Sequence, residues 1–383
     1  MKSTPLHIVH TEASCGWGGQ EIRILTEAQG MLRRGHQITL LCPSESAIFS
    51  AASAYGVPVK ALPIGRKNFT GLWAIFGWLK ENSKTVSIIN THSSTDSWLV
   101  ALAQKASRDV VPVIRTRHVS SPINKKRSTF WLYQKAVKHV IVTGEPLRHG
   151  LVQHNGFALD SMTSVPTGIA LDRFYPRDKA YCVQALGLST SHQYIGILAT
   201  LRDWKGHTDL FHAFARFSAQ YPTLNLLVVG DGPYLPTLQR VVNDLKLTDR
   251  IIFVGQQTNP EIWLNAMEVF VLPSYGDEGV SQAVMQAMAC ARPVVTTPIG
   301  GMTDAVTHQV NGLFVKPRDV MGLSAAIQSC LDQPVYAATL ARAAQIKAQE
   351  AFGFAKMIDA METIFQRYAK PTSTAIMDQI CVG

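Results

Sequence analysis

Arg202 and Lys205 stand three residues apart, after the apolar run Ile195-Gly196-Ile197-Leu198 and just before Gly206. The run reads as a buried strand giving way to a helix. Ligands of open α/β sheets bind at the carboxyl ends of strands, and helix N-termini favour anions. Two cations there would meet a diphosphate; the alternative is a pair of solvated cations near a helix start. A second segment, from Pro273 to Ala289, repeats the order of strand, glycine-containing loop and helix of small and apolar residues. Glycine beside an acid lets backbone N–H groups approach a ligand, while the Glu278 carboxylate accepts hydrogen bonds from hydroxyls such as a sugar offers. Glu278 could equally be a helix N-terminal acid stabilised by the macrodipole. Near the front, Cys15-Gly16-Trp17-Gly18-Gly19-Gln20-Glu21 follows the first apolar run, and Gly18 and Gly19 permit close approach of a bound group. It is not a dinucleotide fingerprint, because Glu21 stands where the third glycine is needed. No Walker lysine motif, H-E-x-x-H or D-x-D pair is present, so positive charge on a diphosphate has to come from side chains.

The elements that must hold these groups are legible as two rounds of one rhythm. Residues 6–10, 37–42, 57–61, 86–91, 111–115 and 139–143 are β-branched runs, separated by helical patterns such as 20–34 and 95–106. Pro166 and Gly168 punctuate the chain, a charged stretch from 172 to 179 follows, and the rhythm restarts at 194–200, 224–229, 250–254, 269–272 and 293–296. A doubly wound parallel sheet is expected in each half. The expected domains are 1–170 and 171–353, then a closing helix from 354 to 370 that packs back toward the first domain, and a loose tail over 371–383.

A chain of 383 residues suits two domains, and 46% hydrophobic with 16% charged residues is an ordinary folded composition. The start has no long apolar h-region or cleavage site, and no stretch nears the ~18 apolar residues a spanning helix needs, so a cytoplasmic protein is expected. The six cysteines, at 15, 42, 182, 290, 330 and 381, lack C-x-x-C spacing and read as reduced, mostly buried thiols. Residues 1–170 hold 19 Lys and Arg against 9 Asp and Glu, a net +10, while the remainder holds 17 against 18. A one-sided basic field attracts polyanions: nucleic acid, an anionic membrane or a phosphorylated glycan.

Taken together the motifs make the chain resemble the family 4 retaining glycosyltransferases of the GT-B fold, over nearly its whole length. The resemblance rests on Gly18-Gly19-Gln20-Glu21, Arg202 to Gly206, Gly230-Asp231-Gly232-Pro233, and Glu278 through Thr297 with Gly300-Gly301. It implies two Rossmann-like domains facing across a cleft, no cofactor or metal, and a UDP- or GDP-linked sugar as the donor substrate. It makes Arg202 and Lys205 the cations on the donor diphosphate, Glu278 the contact to donor-sugar hydroxyls, and Gly279, Val280, Ser281 and Gln282 the loop that binds sugar and phosphate. Asp231 belongs to the donor side, Gly18 and Gly19 to the loop that nears the diphosphate, and His118 becomes the imidazole that faces the donor sugar. The family's second acid is Gln286 here, whose amide can still exchange hydrogen bonds with ribose hydroxyls. The family transfers sugars with retention, which suggests front-face attack aided by the leaving diphosphate.

For the acceptor, Lys125, Lys126 and Arg127 cannot all be buried and precede Phe130, Trp131 and Tyr133. With the basic half, they point to an anionic glycan or glycolipid acceptor, such as a lipopolysaccharide core, and to peripheral contact with the inner membrane. The stretch from Arg66 to Lys80 mixes cations with Phe69, Trp73, Phe76 and Trp78, as an interfacial helix does. For Trp73 and Phe76 a sheet-covering core helix is the favoured reading. A GT-B epimerase or phosphorylase and a non-catalytic sugar-nucleotide sensor are the competing functions. Nucleic-acid binding is set aside, since the basic residues are dispersed and no recognition module is present.

Overall fold

The computed structural model describes residues 4–118, 122–276 and 279–371. Glu278, Asp277, Cys381 and all of the expected tail except Pro371 lie outside the described residues. The chain divides into two compact units, Met1–Pro166 with Ala355–Gly383, and Thr167–Phe354.

The first unit contains seven parallel strands among its described residues: β1 (His7–Thr11), β2 (Gln37–Cys42), β3 (Val59–Ala61), β4 (Ile88–Thr91), β5 (Val113–Arg117), β6 (His139–Val142) and β7 (Met162–Ser164). Their spatial order is β3-β2-β1-β4-β5-β6-β7, so the winding reverses between β1 and β4. Helices α1 (Gly19–Arg33), α2 (Phe69–Asn82) and α3 (Ser94–Ala106) follow β1, β3 and β4. The second unit repeats the plan with β8 (Gln193–Leu198), β9 (Leu224–Val229), β10 (Ile251–Gly255), β11 (Val269–Leu272), β12 (Val294–Thr296) and β13 (Leu313–Phe314), in the order β10-β9-β8-β11-β12-β13. All of these pairs are parallel and the reversal falls between β8 and β11. Helix α4 (His207–Phe217) follows β8 and α5 (Gln282–Ala289) follows β11. Such sheets bind ligands at the carboxyl ends of the strands that flank the reversal.

The buried strands explain the continuous apolar runs, since a sheet covered by helices on both faces has no solvent side. Strands β7 and β13 have three and two residues, too short for an apolar pattern to announce them. The last helix, α6 (Phe354–Tyr368), buries Met357, Ile358, Met361, Ile364 and Phe365 within the first unit. Salt bridges from Arg34 to Asp359 and Glu362 fix it there.

Two expectations need correction. Trp73 is 67% exposed and Phe69 80% exposed, so on this part of α2 the aromatics face solvent, while Phe76 packs against the core as expected. Gly71, Ile75, Trp78 and Leu79 form the buried stripe of that helix, which leaves Trp73 off it. Arg202 and Lys205 do not open the helix after β8: Arg202 precedes and Lys205 ends a single 3-10 turn, Asp203–Lys205, and α4 begins two residues later. Of the cysteines, 42, 182, 290 and 330 are buried free thiols and Cys15 is exposed.

Candidate functional site

In the second unit four loops meet at the carboxyl edge of the sheet. Leu201 donates its N–H to the Asp231 carbonyl at 3.0 Å, Tyr275 donates to the Trp204 carbonyl at 2.8 Å, and the Thr297 hydroxyl donates to the Ser274 carbonyl at 2.5 Å. Gly206 sits at φ +79°, and a Cβ there would lie 2.2 Å from the Pro273 carbonyl oxygen. Only glycine allows both the left-handed backbone and the approach. Gly301 does the same by contact alone, since a Cβ would lie 2.5 Å from the Val280 nitrogen. The Arg202 guanidinium lies 5.2 Å from the centre of the Trp204 ring, so a rigid loop carries an exposed cation while Lys205 is half-buried.

Ser281 precedes α5 and, among the described residues, no side chain caps the helix; first-turn amides of this kind meet anions well. Val280 is buried, and Gly279, Ser281, Gln282 and Gln286 are half-buried beside it. Asp231 is exposed, and its carboxylate accepts the Gly232 N–H at 2.7 Å. The structure therefore brings the 202–205, 230–233 and 273–282 loops together, with Glu278 outside the described residues.

The first unit builds its chemistry from side chains. The registers His10↔Asn90 and Asn90↔Ile114 put His92 and His118 on the same face as His10, two and four residues further along β4 and β5. The three rings form a hydrogen-bonded chain, His10 Nδ1 to His92 Nε2 and His92 Nδ1 to His118 Nε2, each 2.9 Å. A neutral imidazole has one donor and one acceptor, so all three rings carry their protons on the same side of the chain. Burial holds His10 down to about 4, with Phe365 of α6 against its ring. Burial first, then neighbouring charge from Arg23, Arg115 and other imidazoles, keeps His92 and His118 well below the usual histidine range.

Behind the chain the fully buried Glu27 pairs with Arg23 at 3.7 Å and accepts from Asn90, and burial still pushes it up to about 7. Glu12, just past β1, accepts from the Ser14 N–H at 2.7 Å and from Gln20. Burial, then the charge of Asp96, pushes Glu12 up to about 8. On the opposite face of the sheet, buried Asp96 accepts from the Thr11 hydroxyl at 2.6 Å, from the His92 N–H at 2.9 Å and from Ser93. His118, His92 and Gln20 line a cavity of about 560 Å³ together with Ser93, Arg115 and Tyr133.

Of these residues the resemblance singles out His118 alone; His10, His92, Glu12 and Asp96 join it only in the structure. Each stands at or just past the end of an apolar run or at a helix start, an unremarkable place until neighbouring strands are known. Gly18 precedes α1 in extended backbone, and Gly19 opens that helix. Lys125, Lys126 and Arg127 are exposed, and Trp131 is half-buried, stacked on Trp98 with ring centres 5.9 Å apart.

Residues 17–173 match the family described as Glycosyltransferase Family 4, and residues 192–333 match Glycosyl transferases group 1. The N-acetyl-alpha-D-glucosaminyl L-malate synthase of Bacillus anthracis is 28% identical over 50% of this chain and 50% of its own length. The lipopolysaccharide core biosynthesis mannosyltransferase LpsB of Rhizobium meliloti is 33% identical over 44% of this chain and 50% of its own. The chain thus spans about half the length of these curated relatives. Among solved structures, Anabaena HepE, crystallised with UDP and glucose, superposes with a TM-score of 0.81 at 20% identity, over 94% of this chain and 100% of that one. With a matching family in each half, and two doubly wound sheets of that architecture, the chain belongs to the GT-B glycosyltransferases.

Proposed function

We propose that this protein is a retaining, metal-independent transferase that moves a hexose-type sugar from a UDP- or GDP-linked donor to an anionic glycan or lipid-linked acceptor. The setting is cell-surface polysaccharide or lipopolysaccharide synthesis, in the cytoplasm and against the inner membrane. One observation carries the reading: the 202–205 turn is fastened to Pro273 and Tyr275 through Gly206 and the Tyr275 hydrogen bond, which sets two cations at the end of the strand that leads to α5. That set suits a diphosphate, whose departure as a leaving group needs charge stabilised where it develops.

The donor class is supported by HepE, which was crystallised with UDP and glucose. The acceptor class is supported by LpsB, named for lipopolysaccharide core synthesis. In this reading Arg202 and Lys205 hold the diphosphate, Gly279 to Gln282 and Glu278 the sugar, Gln286 and Asp231 the nucleoside side. The His10–His92–His118 chain sets the tautomer and orientation of the His118 imidazole. Exposed Phe69 and Trp73, with Arg66 beside them, supply the membrane contact. Thermal-shift screening of UDP- and GDP-sugars checks the assignment: one donor series should raise the unfolding midpoint in the native protein and not in Arg202→Ala. No stabilisation by any nucleotide sugar would overturn it.

A further inference from the structure

Among the described residues, three cations and one acid line the cavity of the first unit. Arg115 and Arg117 leave the same face of β5 two positions apart, 3% and 5% exposed, and Lys67 reaches the same cavity from the loop before α2. Arg115 donates to the Ser93 carbonyl at 3.0 Å and to the Ser97 hydroxyl, and lies over the Tyr133 ring at 4.8 Å. Its buried Nε has no partner among the described residues. Arg117 donates to the Tyr133 hydroxyl at 3.3 Å, and Lys67 donates to the Ser94 hydroxyl at 2.9 Å.

Among the described residues no carboxylate lies within 4.0 Å of the Arg115 or Lys67 nitrogens. Glu21 is the acid of the lining, and Asp96 behind it is occupied by Thr11, His92 and Ser93. Buried charges are ordinarily paired, because an unpaired one keeps its full desolvation cost. Burial, then the nearness of Arg115, already holds Lys67 below its ordinary range. A guanidinium in such a place presents a planar fork to an oxyanion.

We infer that Arg115, Arg117 and Lys67 form an oxyanion-binding subsite that takes a phosphate or carboxylate borne by the acceptor. The cavity, about 560 Å³ and lined also by Ser93, Ser94, Asn124 and Tyr133, is of a size and polarity for a small hydroxylated anion rather than an apolar ligand. The acceptor's place in this assignment rests on the transferase reading; the affinity for an oxyanion does not.

The test is calorimetric titration of the full chain with inorganic phosphate and, separately, malonate, at low salt and with UDP present at saturation to fill the diphosphate site of the second unit. Saturable binding is expected, weakened about tenfold or more in Lys67→Met and in Arg117→Gln, the loss of a charge-assisted hydrogen bond. Circular dichroism checks that each variant is folded, and Lys67, at the cavity rim, guards against the case in which Arg117→Gln unfolds. Tighter binding of phosphate or of malonate identifies the acceptor's anion, and either supports the subsite. Absence of saturable heat from both anions, or unchanged dissociation constants in folded variants, would overturn it. UDP binding without anion binding sinks this inference alone; anion binding without UDP binding sinks the donor reading and leaves the subsite standing.

Discussion

The two units share one sheet plan and use it in opposite ways. In the second, the loops past β8, β9, β11 and β12 are held by backbone hydrogen bonds and by glycine contacts too close for any side chain, leaving cations and helix amides as the working surface. In the first, side chains interlock below the surface, as an imidazole chain on one face of the sheet and as Asp96 hydrogen-bonded to Thr11 on the other. A site built from backbone tolerates loss of a surface side chain in stability but not in chemistry. A site built from buried side chains couples the two.

Replacement of Arg202 or Lys205 by alanine gives the largest effect on that contrast. Turnover should fall about 10²–10³-fold, as for removal of other groups that stabilise transition-state charge, with the unfolding midpoint little changed. Near-normal turnover in both single variants would remove the second unit's claim to the diphosphate.

His92→Phe should do the reverse in balance. It leaves His10 and His118 each without a buried partner, at about 1–3 kcal/mol apiece, so stability and turnover fall together. Imidazole ¹⁵N spectra should then lose the uniform tautomer state across the remaining rings. An unchanged melting temperature would show that the chain is not a cooperative unit.

The pH dependence is a smaller effect and also belongs to the first unit. Glu12 and Glu27 are raised when folded, to about 8 and about 7, so between their unfolded value near 4.5 and those values the folded state binds more protons. Stability conferred by their protonation is present at low pH and is lost as pH rises through 7 to 8. His10, depressed to about 4, acts oppositely, but its contribution is complete above its unfolded value of 6.5. Chemical denaturation should therefore show roughly 1–2 kcal/mol lost from pH 6.5 to 8, and Glu12→Gln should flatten that slope. A slope unaltered by the substitution would remove Glu12 as its source.

Smallest in stability is the pair Phe69→Ser and Trp73→Ser, expected within about 0.5 kcal/mol because both rings face water. Their effect should be read in sedimentation with anionic vesicles, where salt-sensitive binding of the native protein ought to drop. Equal binding by the double variant would move any membrane contact to the Lys125–Lys126–Arg127 cluster.

The sequence was legible where chemistry is local. Strands β2, β9 and β11 have the bounds expected from their apolar runs, and α6 begins and ends where its period does over the residues 354–368. Arg202, Lys205 and the 279–282 loop stand out because the strand, glycine and helix pattern around each is written within a few positions, although the residues that fasten them, such as Pro273 and Gly301, are distant in the chain. The misplacement of Trp73 has the same root in reverse: a helix rich in aromatics has more apolar surface than its core stripe can cover, and periodicity did not say which ring would be left out.

What the amino-acid order determined alone was the alternation of buried strand and amphipathic helix, and the short motifs at the strand ends. Those follow from forces between residues close in the chain, backbone propensity and apolar period. Only the tertiary structure decided that His10, His92 and His118 would touch, that Asp96 would lie beneath Thr11, and that Arg115 would be buried with no carboxylate at its side. Parallel pairing joins strands separated by tens of residues, and its register sets which side chains share a face. No local preference carries that information.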